Sequence, residues 1–262
     1  MGILNITPDS FYSDSRVQSE KEILTRAEKM LMAGATFLDV GGYSSRPGAK
    51  DLSETEEIQR VSQAIKVIHK EFPQALISVD TFRSSVAKAA VQEGACMIND
   101  ISGGSLDPKM LDTVASLKVP YILMHMQGTP QTMASLTKYN NLVKDIFDYF
   151  HQKVNTLRQL GVNDLVLDPG FGFAKTFEQN FSLLNHLDHF KLFEAPLLIG
   201  LSRKSMIWKT LDITADDALN GTTALHMIAL LKGASILRVH DVKEAVETIK
   251  LFSKTTSNSH HS

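Results

Sequence analysis

The chain has 262 residues, 43% of them apolar and 21% charged, with a formal net charge of −2. This balance excludes a strongly basic protein, so neither nucleic acid nor an anionic membrane is expected as a partner. No apolar run approaches the roughly 20 residues that a membrane span needs. The single cysteine, Cys96, excludes an internal disulfide and favours a reducing, cytoplasmic location.

Short apolar runs rich in β-branched residues recur eight times along the chain. Most are apolar at successive positions, which is typical of strands buried on both faces. These predicted strands lie at 2–6, 37–41, 76–80, 96–100, 121–126, 165–170, 196–202 and 236–242.

Helical patterns occupy the intervals between the predicted strands. Several begin with a capping residue followed at the correct spacing by Glu, Gln or Pro. These starts are Ser19, Ser53, Asp107, Thr176 and Asp241, and a further apolar stripe runs through 140–160 to Gly161.

Eight alternations of strand and helix predict a (β/α)8 TIM barrel with a single domain over residues 1–252. A doubly wound open sheet is the alternative. The polar segment 253–262 is predicted to be a disordered tail.

A TIM barrel gathers its chemistry where the strands end. Polar residues end or follow the apolar runs at ten positions: Asn5, Asp80, Asn99, Asp100, His125, Asp168, Ser202, Lys204, Arg238 and His240. The sequence leaves open whether Asp39, which two glycines separate from the next loop, is structural or functional.

The segment DPGFGFAK at 168–175 raises a specific question, because a Gly-rich turn after a strand often holds phosphate. Here Asp168 stands at its mouth and would repel an anion. Together with Asp80 and Asn99 it suits a flat heterocycle rich in N–H groups, although general acid–base chemistry and metal ligation are alternatives. Phe171 and Met124 are candidates for apolar faces on such a ring, or for core packing.

Arg238 and His240 are two residues apart, so they share one face of the eighth strand. Arginine binds phosphate oxygens with two nitrogens, and histidine adds a donor. Asn5 lies on the first strand, next to the eighth in a closed barrel, and its amide oxygen can ligate the Mg²⁺ that accompanies a diphosphate. One side of the rim therefore suits a diphosphate and the other side a heterocycle.

Taken in order, these segments resemble the dihydropteroate synthase family over almost the whole chain. The matching stretches are MGILNITPDSF at 1–11, SSRPGA at 44–49, SVDTFR at 78–83, INDISGG at 98–104, LMHMQGTP at 123–130, LDPGFGFAK at 167–175, GLSRKS at 200–205 and RVHDV at 238–242. The resemblance implies a dimeric TIM barrel that joins (7,8-dihydropterin-6-yl)methyl diphosphate to p-aminobenzoate with the help of Mg²⁺.

The resemblance also implies a role for each matching residue. Asp80, Asn99, Asp168 and Lys204 would bind the pterin; Asn5, Arg238 and His240 would serve the diphosphate and its metal; Ser45, Arg46 and Pro47 would lie on a closing loop; and Ser202 and Phe11 would border the p-aminobenzoate pocket. The catalytic set is then Asp80, Lys204, Arg238 and His240. The chain departs from the family's usual residues at Ser45 for Thr, Tyr43 for Glu and Ala174 for Gly.

Three other functions compete with this interpretation. A methyltransferase barrel that serves a corrinoid would share the pterin residues but would not need the SRKS and RVHDV segments. A Schiff-base aldolase would use Lys204, which would then be expected within a strand. A non-catalytic paralogue would bind pterin only.

Overall fold

The structure is a computed structural model that describes residues 1–6, 16–43 and 52–257. Phe11, Ser45, Arg46 and Pro47, for which the sequence predicts roles, lie outside these ranges. The described strands are β1 (Gly2–Asn5), β2 (Phe37–Gly41), β3 (Leu76–Asp80), β4 (Met97–Asp100), β5 (Tyr121–Met124), β6 (Leu165–Asp168), β7 (Leu198–Ile199) and β8 (Ile236–Leu237).

Helices follow the strands along the chain. Their bounds are α1 (Arg16–Met32), α2 (Glu54–Glu71), α3 (Ser84–Gln92), α4 (Met110–Leu117), α5 (Leu142–Gln159), α6 (Phe177–Asn185), α7 (Ser205–Leu211), α8 (Leu219–Leu231) and α9 (Val242–Ser257). All eight predicted strands are confirmed, with β7 and β8 shorter than their apolar runs.

The strands form a closed ring. β1 to β6 pair in parallel in chain order, and β7 pairs in parallel with β8. Isolated parallel bridges join Leu167 to Leu197 and Gly2 to Val239, and the Val239 amide donates to the Met1 carbonyl at 2.9 Å. These links join the two-stranded unit to both edges of the six-stranded sheet, as a TIM barrel requires.

Alternation along the strands positions the polar residues at one end of the barrel. Met97, Ile122 and Val166 form a small apolar cluster with Leu198, separate from the main core beneath the helices. Side chains two residues apart share a strand face, so Asn99, Met124 and Asp168 stand one layer above this cluster. The same spacing places Arg238 above Ile236 and Asp39 above Phe37.

Two of the predicted helix starts are confirmed by cap geometry. The Ser53 hydroxyl accepts from the Glu56 amide at 3.3 Å, and Thr176 forms a capping box with Gln179. The prediction at Ser19 is wrong, because α1 begins at Arg16 and Ser19 lies inside it.

The start predicted at Asp241 is confirmed in position, because α9 begins at Val242, directly after it. The start predicted at Asp107 is early, although Asp107 Oδ1 accepts from the Lys109 amide at 2.9 Å. Both side chains also have partners elsewhere in the fold. Asp107 accepts from the amide of Ser84 at the start of α3 at 2.7 Å, and α4 begins only at Met110. Asp241 forms a two-nitrogen ion pair with Arg203 at 2.8 and 3.0 Å.

The end of the chain differs from the predicted tail. α9 continues to Ser257, so 253–257 are helical rather than disordered, because the apolar spacing of the helix carries through Phe252 into the last turn. None of the helices in the described part of the chain combines the length and apolar character that a membrane crossing requires.

Candidate active site

Arg238 lies at the centre of the mouth of the barrel and contacts two carboxylates. Its Nε donates to Asp39 Oδ2 at 2.6 Å and its Nη2 donates to Asp80 Oδ2 at 2.5 Å. The predicted separation of Asp80 and Arg238 onto opposite sides of the rim is wrong, because their side chains are in contact. Both side chains face the interior of a narrow barrel, and the arginine is long enough to reach across from β8 to β3.

Asp39 is a site residue that sequence reasoning left unresolved. It is completely buried, and the same Oδ2 that binds Arg238 also accepts from Asn99 Nδ2 at 3.0 Å. The sequence carries a usable signal: Asp39 is the one charged residue in an apolar strand, and it lies two positions after Phe37, so both side chains face the interior.

The turn after Asp168 answers the question raised by its glycines. Asp168 Oδ1 accepts from the Gly170 amide at 2.8 Å, and the Gly172 amide donates to Asn180 Oδ1 at 2.7 Å. Two of the amides that a phosphate would need are thus already used within the protein. Gly170 has φ +74°, and a Cβ there would lie 2.1 Å from the carbonyl oxygen of His125, so the turn requires glycine.

The carbonyl groups of this turn bind cations instead. Lys175 Nζ donates to the carbonyls of Gly170 at 2.9 Å and Phe173 at 3.0 Å, and Lys204 Nζ donates to the carbonyl of Phe171. Sequence reasoning missed Lys175, because it follows the strand by seven residues and no pattern shows that it folds back beneath the turn.

Burial shifts the pKa values of these charged groups in the direction that favours their neutral forms. It raises the pKa of Asp80 to about 7, an effect that the charge of Asp39 adds to and that Arg238 opposes. Burial also raises the pKa of Asp168, against the influence of Lys204. It lowers the pKa of Lys204 to about 8 and that of Lys175 to about 7. The site is therefore a shielded cluster of opposite charges, in which electrostatic interactions are strong.

Two rim residues are placed by the structure in supporting positions. Asp100 is completely buried and accepts from Ser102 and Gly104 in its own loop and from Tyr121 on β5, so its oxygens have partners within the protein. His125 is buried against Lys175 Nζ, with its Nδ1 at 3.1 Å, and burial lowers its pKa to about 2. His125 is therefore neutral and is not a base exposed to substrate.

The place of Ser202 beside a p-aminobenzoate pocket stays a prediction, and the structure shows its contacts with His240. Ser202 is 5% exposed, and its hydroxyl lies 3.0 Å from His240 Nδ1 and accepts from the His240 amide at 3.2 Å. The helix that follows begins three residues later, at Ser205. Ser202 therefore orients His240, whose side chain is exposed at the mouth.

The two candidate apolar faces are also placed differently from the expectation. Phe171 is completely buried in the main core, because its ring points away from the mouth, and only its carbonyl reaches the site. Phe173 is partly exposed instead, packs beside Met124, and lies 4.9 Å from Lys204 Nζ. Met124 itself is 2% exposed. For Phe171 the alternative of core packing is therefore confirmed, and strand alternation does not continue through a turn with left-handed residues to predict that Phe173 faces the mouth.

Two of the departures from the family pattern are visible in the structure. The Tyr43 hydroxyl accepts from Gln131 Nε2 at 2.9 Å, and its ring packs edge-on against Phe82 at 5.0 Å. Ala174 has φ 48°, a left-handed conformation that favours glycine, so the alanine adds a local backbone strain.

Asn5 ends β1 at the mouth, and its side chain is exposed. A Cβ on Gly41 would lie 3.7 Å from Asn5 Oδ1 and 3.6 Å from Asp80 Oδ2, so these two oxygens face the same space. No group of three or more histidine, cysteine or acidic side chains suited to a metal occurs among the described residues. The Asn5 amide oxygen is a ligand of the kind that Mg²⁺ takes in proteins.

The chain is similar to known proteins over almost its whole length. A family model described as "Pterin binding enzyme" matches residues 1–240. Dihydropteroate synthase of Escherichia coli K12 is 43% identical over 259 residues, covering 98% of this chain and 91% of its own.

Solved structures agree with this relationship. Yersinia pestis dihydropteroate synthase in complex with a sulfonamide drug has a TM-score of 0.90 and 42% identity, covering 98% of this chain and 93% of its own. Xanthomonas albilineans dihydropteroate synthase with 4-aminobenzoic acid has a TM-score of 0.89 and 35% identity, covering 98% of this chain and 92% of its own. With matches of this extent in sequence and in structure, the chain belongs to the pterin-binding enzyme family, as a relative of the dihydropteroate synthases.

Proposed function

We propose that this protein is a transferase that condenses (7,8-dihydropterin-6-yl)methyl diphosphate with p-aminobenzoate to give 7,8-dihydropteroate and diphosphate. The observation that carries the proposal is the convergence of Asp80, Asn99, Asp168, Lys204 and Arg238 on one barrel mouth. Their contacts with one another make a shielded cluster that offers both acceptors and cations to a ligand.

The pterin side of the site would use the carboxylate of Asp168, the amide of Asn99 and the ammonium of Lys204. A carboxylate accepts two parallel hydrogen bonds from the amidine-like edge of a pterin. Asn99 is fixed by Asp39, and Lys204 is fixed by the turn after Asp168. The ring would therefore meet donors and acceptors that are already oriented before it binds.

The diphosphate side would use Arg238 and His240. Two of the guanidinium nitrogens bind carboxylates, and among the described residues no acceptor is recorded for Nη1, which is left for a phosphate oxygen. His240 is oriented by Ser202. Asn5 would contribute an oxygen to Mg²⁺, which when bound would neutralise charge on the diphosphate.

Departure of the diphosphate breaks the bond between its oxygen and the pterin CH₂, and the electron pair leaves with the oxygen. Asp80 and Asp168 would stabilise the positive charge that spreads into the ring, while Arg238 and His240 stabilise the negative charge of the departing group. The neutral aromatic amine then attacks the CH₂ and loses a proton. No general base is assigned, because His125 is buried and Lys175 binds the turn.

We further propose that the protein is a homodimer. Apolar side chains are exposed on the neighbouring helices α8 and α9: Ile228, Leu231, Ile249 and Leu251. Exposed apolar side chains in such numbers are typical of a surface that another protein covers. A cytoplasmic location is also part of the proposal, because Cys96 is a free thiol.

The experiment is to incubate the protein with the pterin diphosphate, p-aminobenzoate and Mg²⁺, and to measure dihydropteroate and free diphosphate. The two products should appear in equal amounts, and omission of p-aminobenzoate should abolish dihydropteroate formation. A protein that binds the pterin diphosphate but releases no dihydropteroate would contradict the proposal and would indicate a binding protein.

A further inference from the structure

Asp39 occupies an unusual position for a charged residue. It lies in the middle of β2, in the same interior layer as Asn99 and Arg238, and none of its surface is exposed. It therefore does not reach a ligand in the mouth directly, and any effect that it has on catalysis must pass through its neighbours.

Those neighbours come from two other strands. Asp39 Oδ2 accepts from Nε of Arg238, the residue directly after β8, at 2.6 Å, and from Nδ2 of Asn99 on β4 at 3.0 Å. The first contact fixes the plane of the guanidinium, and the second fixes which way the amide of Asn99 points. One carboxylate oxygen thus orients a residue for the diphosphate and a residue for the pterin.

The second oxygen of Asp39 argues against a purely structural role. Oδ1 is buried and has no hydrogen-bond partner among the described residues, and neither has the hydroxyl of Ser78, its register partner on β3. A buried carboxylate with an unpaired oxygen lowers stability, and an apolar side chain would pack there at less cost. The fold alone does not account for Asp39.

We propose that Asp39 is a positioning residue that sets the orientations of Arg238 and Asn99 together, so that the diphosphate and pterin contacts depend on one buried carboxylate. This proposal rests on the proposed function for the identity of the ligands. The contacts of Asp39 with Arg238 and Asn99 are present in the protein without ligand and do not depend on that function.

The first test compares two affinities in Asp39→Asn, which keeps the shape of the side chain and removes its charge. The probes are the pterin diphosphate and a pterin that lacks the diphosphate. Loss of a charge-assisted contact corresponds to about a ten- to hundredfold weakening. Arg238→Ala should lower mainly the affinity for the pterin diphosphate. Asn99→Ala should lower the affinity for both ligands, because both carry the pterin. Asp39→Asn should produce both effects in one variant.

The matched control is Ser78→Ala, which changes a buried polar side chain in the same layer that has no recorded bond to a site residue. It should leave both affinities unchanged. Equal losses in Ser78→Ala and Asp39→Asn would overturn the proposal, because they would indicate a general effect on interior packing.

The decisive measurement adds Asp39→Asn to a protein that already carries Arg238→Ala and Asn99→Ala. A residue that acts only through those two side chains should have little further effect there. The same ten- to hundredfold loss in that background would show that Asp39 acts by another route, and the proposal would fail.

A spectroscopic measurement on the unchanged, ligand-free protein keeps the proposal testable even if Asp39→Asn does not fold. The Nε–H of Arg238, bonded to a buried carboxylate, should give a ¹⁵N-correlated signal that exchanges slowly with solvent. Rapid exchange would contradict the proposal. This result is independent of turnover, so failure of the proposed reaction and failure of the positioning role are distinguishable.

Discussion

At the scale of single residues, the two carboxylate oxygens of Asp168 have separate roles. One oxygen closes the turn by accepting from the Gly170 amide, and we propose that the other binds the pterin. Burial raises the pKa of this carboxyl, while Lys204 opposes the increase. The cations bound to the same turn thus favour the charged form of Asp168, against the effect of burial.

Asp168→Asn should therefore weaken pterin binding about ten- to hundredfold while the protein remains folded. Asparagine can still accept from the Gly170 amide, but it presents a donor to the donors of the pterin edge, and a charged hydrogen bond contributes about 1.5–3 kcal/mol. Calorimetric titration with a pterin measures the change. Asp100→Asn is the contrasting control: it should lower the melting temperature and leave the pterin affinity intact, because its oxygens serve Ser102, Gly104 and Tyr121. Unchanged affinity in Asp168→Asn would refute the assignment.

At the scale of elements, the strand ends were predictable and the turns between them were not. Asn99 and Asp168 follow from strand parity, because a residue two positions above an interior apolar side chain must also face the interior. Lys175 and Phe173 do not follow from it, because left-handed residues such as Gly170 and Ala174 break the alternation. Asp107 and Asp241 show a related limit for helices, since the local pattern predicts a helix start but not the tertiary partners, Ser84 and Arg203, that these side chains also bind.

α8 contains a buried histidine whose Nε2 has no partner among the described residues, His226. Burial lowers its pKa from 6.5 to about 4. Between these values the unfolded chain binds a proton that the folded protein does not, so the free energy of unfolding decreases as the pH falls.

His226→Gln should remove this dependence. Relative to the variant, the wild-type protein should lose about 2 kcal/mol of unfolding free energy between pH 7 and pH 5. Urea unfolding of both proteins at the two pH values measures it, with His151→Gln, which removes an exposed histidine, as the control. A constant difference between wild type and His226→Gln at both pH values would show that His226 is not buried in its neutral form.

At the scale of the whole molecule, the apolar surface of α8 and α9 lies apart from the mouth of the barrel. Leu231 is 62% exposed and Leu251 is 64% exposed. If a second copy covers this surface, a charge placed there should separate the two protomers, because an unpaired buried charge is strongly unfavourable.

Leu231→Asp should therefore convert a dimer to a monomer in analytical ultracentrifugation. Leu192→Asp, at a 75% exposed leucine on a segment before β7, is the matched control and should leave the mass unchanged. A wild-type protein that sediments as a monomer, or a Leu231→Asp variant that remains a dimer, would contradict the homodimer.

The closure of the ring has a consequence for how the protein folds. Neighbouring strands from β1 to β6 pair in chain order, so each can add to the sheet by closing a short loop. The seam between β1 and β8 instead joins residues 236 positions apart, as in the contact of the Met1 amine with the Leu237 carbonyl. Ordering so long a loop is entropically costly, and the seam should form last and open first.

In native-state hydrogen exchange, the amides of Ile3 and Val239 should exchange through a partial opening, while those of β3 and β4 exchange only through global unfolding. Equal protection of the seam and of β3 would show that the barrel opens as one unit.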